Sequence, residues 1–243
     1  MKILGIDSSG LVASAALVAG DTLVAEFTVN NKQTHSQTLL PMIDQAVAMS
    51  GIGLQELDGI AVAAGPGSFT GLRIGSSTAK GMALALNKPI IPIPTLEGLA
   101  YRLAGCEGVV CPLMDARRNQ VYTGIYQVQG NKPEVLLEQS ALDIQDIANR
   151  LNEMNIKVTF LGDGAEVYRA ALEEKVAVPF RFAPLHLNRQ SAASVAALGS
   201  LYLAEGKSEK AAEHKPVYLR QSQAERERAI RLQQEGTPPA MVR

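Results

Sequence analysis

Two carboxylates stand at the ends of short apolar runs, a place from which an acid can do chemistry. Asp7 closes Lys2-Ile3-Leu4-Gly5-Ile6-Asp7, and Asp115 closes Gly108-Val109-Val110-Cys111-Pro112-Leu113-Met114-Asp115. Each run reads as a strand. An acid at a strand end can organise magnesium and water around a phosphate. The turns that follow offer a second use. Asp7 can cap its own turn through Ser8 and Ser9, and Asp115 is followed by Arg117 and Arg118, which can neutralise it or bind phosphate themselves.

The longest glycine-bearing motif is Gly65-Pro66-Gly67-Ser68-Phe69-Thr70-Gly71-Leu72-Arg73-Ile74-Gly75. The apolar run Ile60 to Ala64 leads into it, and Gly65-Pro66-Gly67 turns the chain. Ser68 or Thr70 is placed to cap a helix that reaches about Leu86 or Asn87, where Lys88-Pro89 stops it. Such a turn can bring backbone N–H groups to an anion. It is not a dinucleotide fingerprint, because Thr70 stands where the third glycine belongs, and no P-loop run occurs. Gly71, Gly75 and Ala79 recur every four residues and form one stripe of small side chains. A glycine inside a helix costs about 1 kcal/mol relative to alanine, so two on one face imply a close neighbour. The chain's own sheet, a helix of a second subunit and a ligand all fit that description.

Other chemistry has little material. The three histidines, His35, His186 and His214, are dispersed, and no H-E-x-x-H is present, which counts against a zinc peptidase. Cys106 and Cys111 fit neither a paired zinc motif nor a disulfide framework, and Cys111 reads as a small buried hydrophobe. The net charge over 243 residues is −1, so this chain alone is a poor candidate for a strong nucleic acid binder. Hydrophobic residues make up 47% and charged ones 19%, as in a folded soluble protein. No apolar run approaches the ~18 residues of a membrane span, and the N-terminus reads as a strand, not a signal peptide. The expectation is a cytoplasmic protein with no membrane partner.

The elements that must position these residues repeat. Lys2–Asp7, Leu11–Val18 and Thr22–Val29 form a meander. A helix opens at Thr34-His35-Ser36-Gln37 and carries Leu39, Leu40, Met42, Ile43, Ala46 and Val47 at helical spacing, with Pro41 tolerated in a first turn or at a kink. The strand Ile60–Ala64, the motif helix, the strand Pro89–Ile93 and a helix capped by Thr95 follow. A second round begins at Gly108: strands to Asp115, over Val121–Val128 and from Pro133, a helix at about 143–151, a strand at 157–161, the turn Gly162-Asp163-Gly164 into a helix, and a last helix from a cap at Ser191. Asp7 and Asp115 each stand six residues before the following strand core. Duplication on this scale predicts two related α/β domains. The alternating charges beyond Arg220 predict an exposed helix and then disorder.

The opening Ile-Asp-Ser-Ser, Thr34-His35-Ser36-Gln37 with Leu39-Leu40-Pro41, the run Gly65 to Gly75, and Pro216-Val217-Tyr218-Leu219-Arg220 resemble the TsaB family, also called YeaZ. The resemblance spans most of the chain and is strongest before residue 100. It implies two duplicated actin/hexokinase/Hsp70-like (ASKHA, ribonuclease H-like) domains with mixed sheets flanked by helices: residues 1–105 for dimerisation, 106–220, and a flexible tail 221–243. It also implies a role in the threonylcarbamoyl modification of the tRNA adenosine next to the anticodon. In that reading the chain is a non-catalytic scaffold for the paralogue TsaD, joined by the ATPase TsaE, a homodimer when alone, and in touch with tRNA only through the complex. No cofactor is intrinsic to it; ATP or ADP and the metal belong to TsaD and TsaE. TsaD-like proteins carry a metal-binding His-x-x-x-His where this chain has Thr95 and Leu99, and leucine has no lone pair to donate.

The expected partner interface comprises Thr34, His35, Ser36 and Leu39 from one helix start, and Ser68, Phe69, Thr70, Gly71, Leu72, Arg73, Gly75 and Ala79 from the other. His35 has a capping or surface role as its plain alternative, and Arg73 an ion pair within its own domain. The alternative function is an ASKHA-type phosphotransferase or ATPase with Asp7, Ser8, Ser9 and Asp115 lining a nucleotide cleft.

Overall fold

The computed structural model describes residues 1–31 and 33–220; the tail 221–243, expected as helix and disorder, lies outside the described residues. The first half contains β1 (Lys2–Asp7), β2 (Ala13–Ala19), β3 (Thr22–Val29), α1 (His35–Ser50), β4 (Gly59–Gly65), α2 (Phe69–Leu86), β5 (Ile90–Pro94) and α3 (Thr95–Tyr101). The second contains β6 (Val109–Arg117), β7 (Gln120–Gln127), β8 (Glu134–Asp143), α4 (Ile144–Met154), β9 (Val158–Leu161), α5 (Asp163–Val167), α6 (Arg169–Lys175), β10 (Phe180–Phe182) and α7 (Ala192–Ala204). The sheets are ordered β3-β2-β1-β4-β5 and β10-β9-β6-β7-β8. Read from opposite ends the two orders superimpose, with β6 in the place of β1 and β9 in the place of β4. In each sheet the first strand pairs antiparallel with the second and parallel with the fourth. The repeated sequence pattern is therefore a repeated topology.

Alternation along β1 explains the layering of the first sheet. Leu4 and Ile6 point to one face, where Leu39, Ile43 and Ala46 of α1 and Ala79 and Ala83 of α2 cover them. Ile3 points to the other face, among Ala61, Ile91, Val195, Ala196 and Leu198. Each fully buried Leu or Ile contributes roughly 1.5–3 kcal/mol. On the second sheet α4 supplies Ile144, Ile147 and Leu151 to one face. Leu96, Leu99 and Ala100 of α3 join Val110, Met114 and Tyr126 on the other. The expected boundary between residues 105 and 106 separates the sheets, but the helices do not follow it. α3 lies between the sheets, touching β4 and β5 as well as β6 and β7, with its apolar side chains in the second sheet's cluster; α7 lies against the first sheet, and the two helices touch each other.

α7 sits close because its neighbours are small: a Cβ on Gly199 would stand 2.5 Å from the Ala61 Cβ. Its cap differs from expectation. Ser191 occupies the N-cap position, but its hydroxyl makes no cap bond; it donates to Glu26 Oε1 at 2.5 Å. The first free N–H groups of α7 are taken by β2 and β3 instead, Ala192 N by Ser14 Oγ at 2.9 Å and Ala193 N by Glu26 Oε1 at 3.3 Å. A carboxylate there also suits the positive end of the helix. Glu26→Ala should cost about 1–2 kcal/mol, and Glu26→Gln less, since the amide oxygen still accepts; urea denaturation measures both. Thr95 likewise does not cap α3. Pro94 holds that position, and Thr95 Oγ1 accepts from Gly65 N at 3.0 Å.

After α7 the chain returns across the first lobe as a strap. Glu209 exchanges two backbone hydrogen bonds with Ile90 on the edge strand, and Val217 N donates to Ala64 O at 2.7 Å. Lys80 Nζ holds His214 O at 3.0 Å, and Arg220 Nη1 reaches Ala116 O at 2.8 Å.

Candidate functional site

The Gly65–Pro66 peptide is cis, and the chain enters α2 beyond it. Ser68 is the N-cap, its hydroxyl accepting from Gly71 N at 3.4 Å. The loop after β1 locks against this start. Ser68 N donates to Ser9 O at 2.7 Å, and Ser8 Oγ donates to Gly71 O at 2.8 Å. Gly71 lies so close to Ser8 that a Cβ would fall on the Ser8 carbonyl oxygen, and one on Gly75 would stand 2.5 Å from Ser8 Oγ. Gly71, Leu72, Gly75 and Ala79 are all buried within the chain. Of the neighbours that the stripe could have, the chain's own β1 loop stands against Gly71 and Gly75, and Ala79 faces the core under the first sheet.

The opposite edge of α2 is open, and α1 runs beside it. α1 buries Leu39, Met42, Ile43 and Ala46, which turns Leu40 outward at 57% exposure. Between the helices lies a groove of about 380 Å³, lined by His35, Ser36, Leu40, Arg73, Ile74 and Ser77 with Leu39 at its floor. Among the described residues no carboxylate lines it. His35 is half-buried and its Nε2 donates to Gly10 O at 2.8 Å, so one imidazole ties α1 to the β1 loop. Thr34 and Ser36 are exposed, and their hydroxyls pair at 3.1 Å. Ser68 and Thr70 are exposed at the other helix start. Phe69 lies under Tyr218, with ring centroids 4.5 Å apart and planes 7° from parallel.

The structure thus gathers His35, Ser36, Leu39 and Arg73 on one groove and withdraws the small stripe. Sequence reasoning missed four lining residues, Leu40, Ile74, Ser77 and Thr78, and also Tyr218, which holds Arg73 without lining the groove. Leu40 was readable as the apolar residue one step out of the buried register. Tyr218 carried no local signal, since the residues it meets are 145 or more positions away.

Each acid of the alternative cleft engages one of its oxygens in local hydrogen bonds. Asp7 Oδ1 accepts from Ser9 N at 2.9 Å and Ser9 Oγ at 2.6 Å. Asp115 Oδ1 accepts from Arg117 N at 2.8 Å and the Tyr168 hydroxyl at 3.2 Å. The Gly162-Asp163-Gly164 turn is pressed onto Leu113, whose backbone a Cβ on either glycine would meet. Among the described residues no group of three or more His, Cys, Asp or Glu is placed to hold a metal ion.

Burial pushes the Asp7 carboxyl up to about 6, against the Ser9 hydrogen bonds and the nearby His35, which pull it down. The folded chain therefore holds this proton more tightly than the unfolded chain does. Its contribution to stability is complete below the ordinary carboxylate range and is lost as pH rises through about 6. Asp7→Asn keeps an acceptor for Ser9 and removes the charge. It should stabilise the fold near neutral pH by up to about 3 kcal/mol and flatten the change between about pH 4 and about pH 7. Urea midpoints across that range test this; an unchanged profile in the variant would remove Asp7 as its source.

Comparison with known proteins places this geometry. A family model described as TsaD, tRNA N6-adenosine threonylcarbamoyltransferase, matches residues 22–228. The tRNA threonylcarbamoyladenosine biosynthesis protein TsaB of Bacillus subtilis is 36% identical over 174 residues, 72% of this chain and 76% of that protein. TsaB of Escherichia coli is 30% identical over 233 residues, 92% of this chain and 96% of that protein. The solved structure of YeaZ from Pseudomonas aeruginosa superimposes with a TM-score of 0.77 at 27% identity, over 90% of this chain and 99% of that one. Component A of the Acidaminococcus fermentans (R)-2-hydroxyglutaryl-CoA dehydratase, 13% identical with a TM-score of 0.51 over 84% of this chain and 99% of that one, shares the fold alone. The fold is ASKHA-like, two mixed sheets flanked by helices.

Proposed function

The chain belongs to the TsaB family of tRNA threonylcarbamoyladenosine biosynthesis proteins, and from that premise we propose that it is a non-catalytic subunit that docks TsaD on its α1/α2 face. The observation that carries the proposal is the groove between those helices: apolar at Leu40 and Ile74, free of carboxylates among the described residues, and open on the outside of the lobe. A helix of a partner protein fits such a groove better than a soluble polar ligand does. The match to the TsaD model over most of the chain gives the two proteins a common fold. Paralogues of one fold can present similar faces, so self-association through the same face is the corresponding state of the chain alone.

The work of this subunit is conformational: binding favours the competent arrangement of TsaD. Where TsaD-like proteins carry their metal-binding histidines, Thr95 here accepts the Gly65 N–H, and Leu99 is buried among apolar side chains. Neither offers a nitrogen ligand. Nucleotide and metal then belong to TsaD and TsaE, and tRNA meets this chain only in the complex.

Size-exclusion chromatography with light scattering, on the chain alone and mixed with TsaD of the same organism, tests the proposal together with tRNA-modification assays of each sample. A heterodimer is expected, with activity only in a mixture that also contains TsaE. Absence of a complex, together with ATP turnover by the isolated chain, would overturn it in favour of the Asp7 and Asp115 cleft.

A further inference from the structure

Arg73 is exposed on the groove wall and is held from one side. Its Nε donates to the Tyr218 hydroxyl at 3.3 Å, and its guanidinium carbon lies 5.9 Å from the centre of the Tyr218 ring. That ring is fixed in turn. It stacks on Phe69 at 4.5 Å, the neighbouring Val217 N is bonded to Ala64 O at 2.7 Å, and Arg220 anchors the strap to Ala116 O. Among the described residues Arg73 forms no ion pair. The guanidinium has five N–H groups in a planar fork, and among the described residues only Nε has an acceptor. The strap therefore orients a cation whose outer edge is unused, beside a groove that no carboxylate lines among the described residues.

We infer that Arg73, oriented by Tyr218, receives a carboxylate side chain of the protein docked on the α1/α2 face. This rests on the docking reading above and names its polar contact. The fork of two Nη groups matches a carboxylate in two parallel hydrogen bonds. A nucleic acid backbone is the poorer occupant: it is met by several cations together, and among the described residues Arg73 is the single Lys or Arg lining the groove. Tyr218 is a positioning residue. It touches the partner only through the arginine it holds, and its link to the rest of the strap makes residues 216–220 part of the docking face.

The test is calorimetric titration of TsaD into the full chain and its variants, at about 0.05 M and about 0.3 M salt. Arg73→Gln is expected to bind about 10-fold to 50-fold more weakly and to lose most of the salt dependence of the wild type. Arg73→Lys should restore the charge but less than half of the lost affinity, because a point charge does not replace the fork. Tyr218→Phe keeps the stack on Phe69 and should lose about 3-fold, and Tyr218→Ala about 10-fold, with the smaller salt dependence of a wandering cation. A merely structural tyrosine would change thermal stability and leave the salt dependence as it was. If wild type binds and Leu40→Ala weakens binding while Arg73→Gln does not, the docking face stands and the role of Arg73 is overturned. If Arg73→Gln instead abolishes tRNA binding by the isolated chain and spares TsaD, the occupant is a phosphate and the inference falls. If wild type binds no TsaD, the docking reading falls and takes this one with it.

Discussion

Gly71→Val is expected to lower the stability of the fold by more than about 3 kcal/mol, as overpacking against an immovable neighbour does. The obstacle is the Ser8 carbonyl oxygen, onto which the first side-chain carbon would fall, with His35 Cδ2 at 3.5 Å behind it. A backbone oxygen cannot rotate aside, and this one belongs to a loop tied down on every side. Ser8 Oγ is bonded to Gly71 O, Ser9 to Asp7, and Ser68 N to Ser9 O. Relief requires moving α2 off the sheet, which uncovers Val62, Ala79 and Ala83. Gly81 lies on the same helix and is exposed, and a Cβ added there would meet nothing within 4 Å. Gly81→Ala should therefore stabilise the chain by about 0.5–1 kcal/mol through helix propensity alone. Urea midpoints by circular dichroism separate the two. If Gly71→Val kept the wild-type midpoint, α2 would not be seated on the β1 loop as described.

Leu40→Asp is expected to weaken association with TsaD by about 100-fold or more while leaving the melting temperature within about 2 °C of wild type. Leu40 is 57% exposed in the free chain, so it contributes little to the fold. At the centre of a docked interface it would be dry, and a carboxylate there must shed its water. tRNA-modification activity of the reconstituted complex should fall with the affinity and recover partly when TsaD is raised. Leu185→Asp is the matching control, on a side chain 89% exposed in the short turn Leu185–Leu187 of the second lobe. It should bind and function as wild type does. Equal losses in both variants, or none in Leu40→Asp, would remove the α1/α2 groove as the docking site.

What the sequence made legible was local. The strand end at Asp7, the cap at Ser68 and the stop after Leu86 depend on residues a few positions apart, and the duplication followed from the order of the elements; the end expected at Asp115 was misplaced, since β6 runs on to Arg117. The stripe Gly71-Gly75-Ala79 was legible as a face that needs a close neighbour, but periodicity does not say which neighbour. That depended on Ser8, 63 positions earlier. Caps supplied from afar were invisible for the same reason: Ser191 is a fitting N-cap residue, yet Glu26, 165 positions away, takes its hydroxyl. Thr95 faced a similar competitor in Gly65 N. Half of the groove's lining was readable from the helix starts, and the other half lies on the same two helices; Tyr218, which only the return of the strap brings to Phe69 and Arg73, was not readable at all.

The exchange of α3 and α7 between the sheets has a consequence for synthesis. Translation delivers β5 by Pro94 and α7 only from Ala192 onward. Until then the emerging chain carries a bare apolar face at Ile3, Ala61, Ile91 and Ile93, the surface that Val195, Ala196 and Leu198 later fill. Its first lobe cannot finish on the ribosome while the second is still being made. The first lobe matures late, and a transcript cut short between the two helices yields a product with an exposed sheet, the kind of surface that chaperones and proteases recognise.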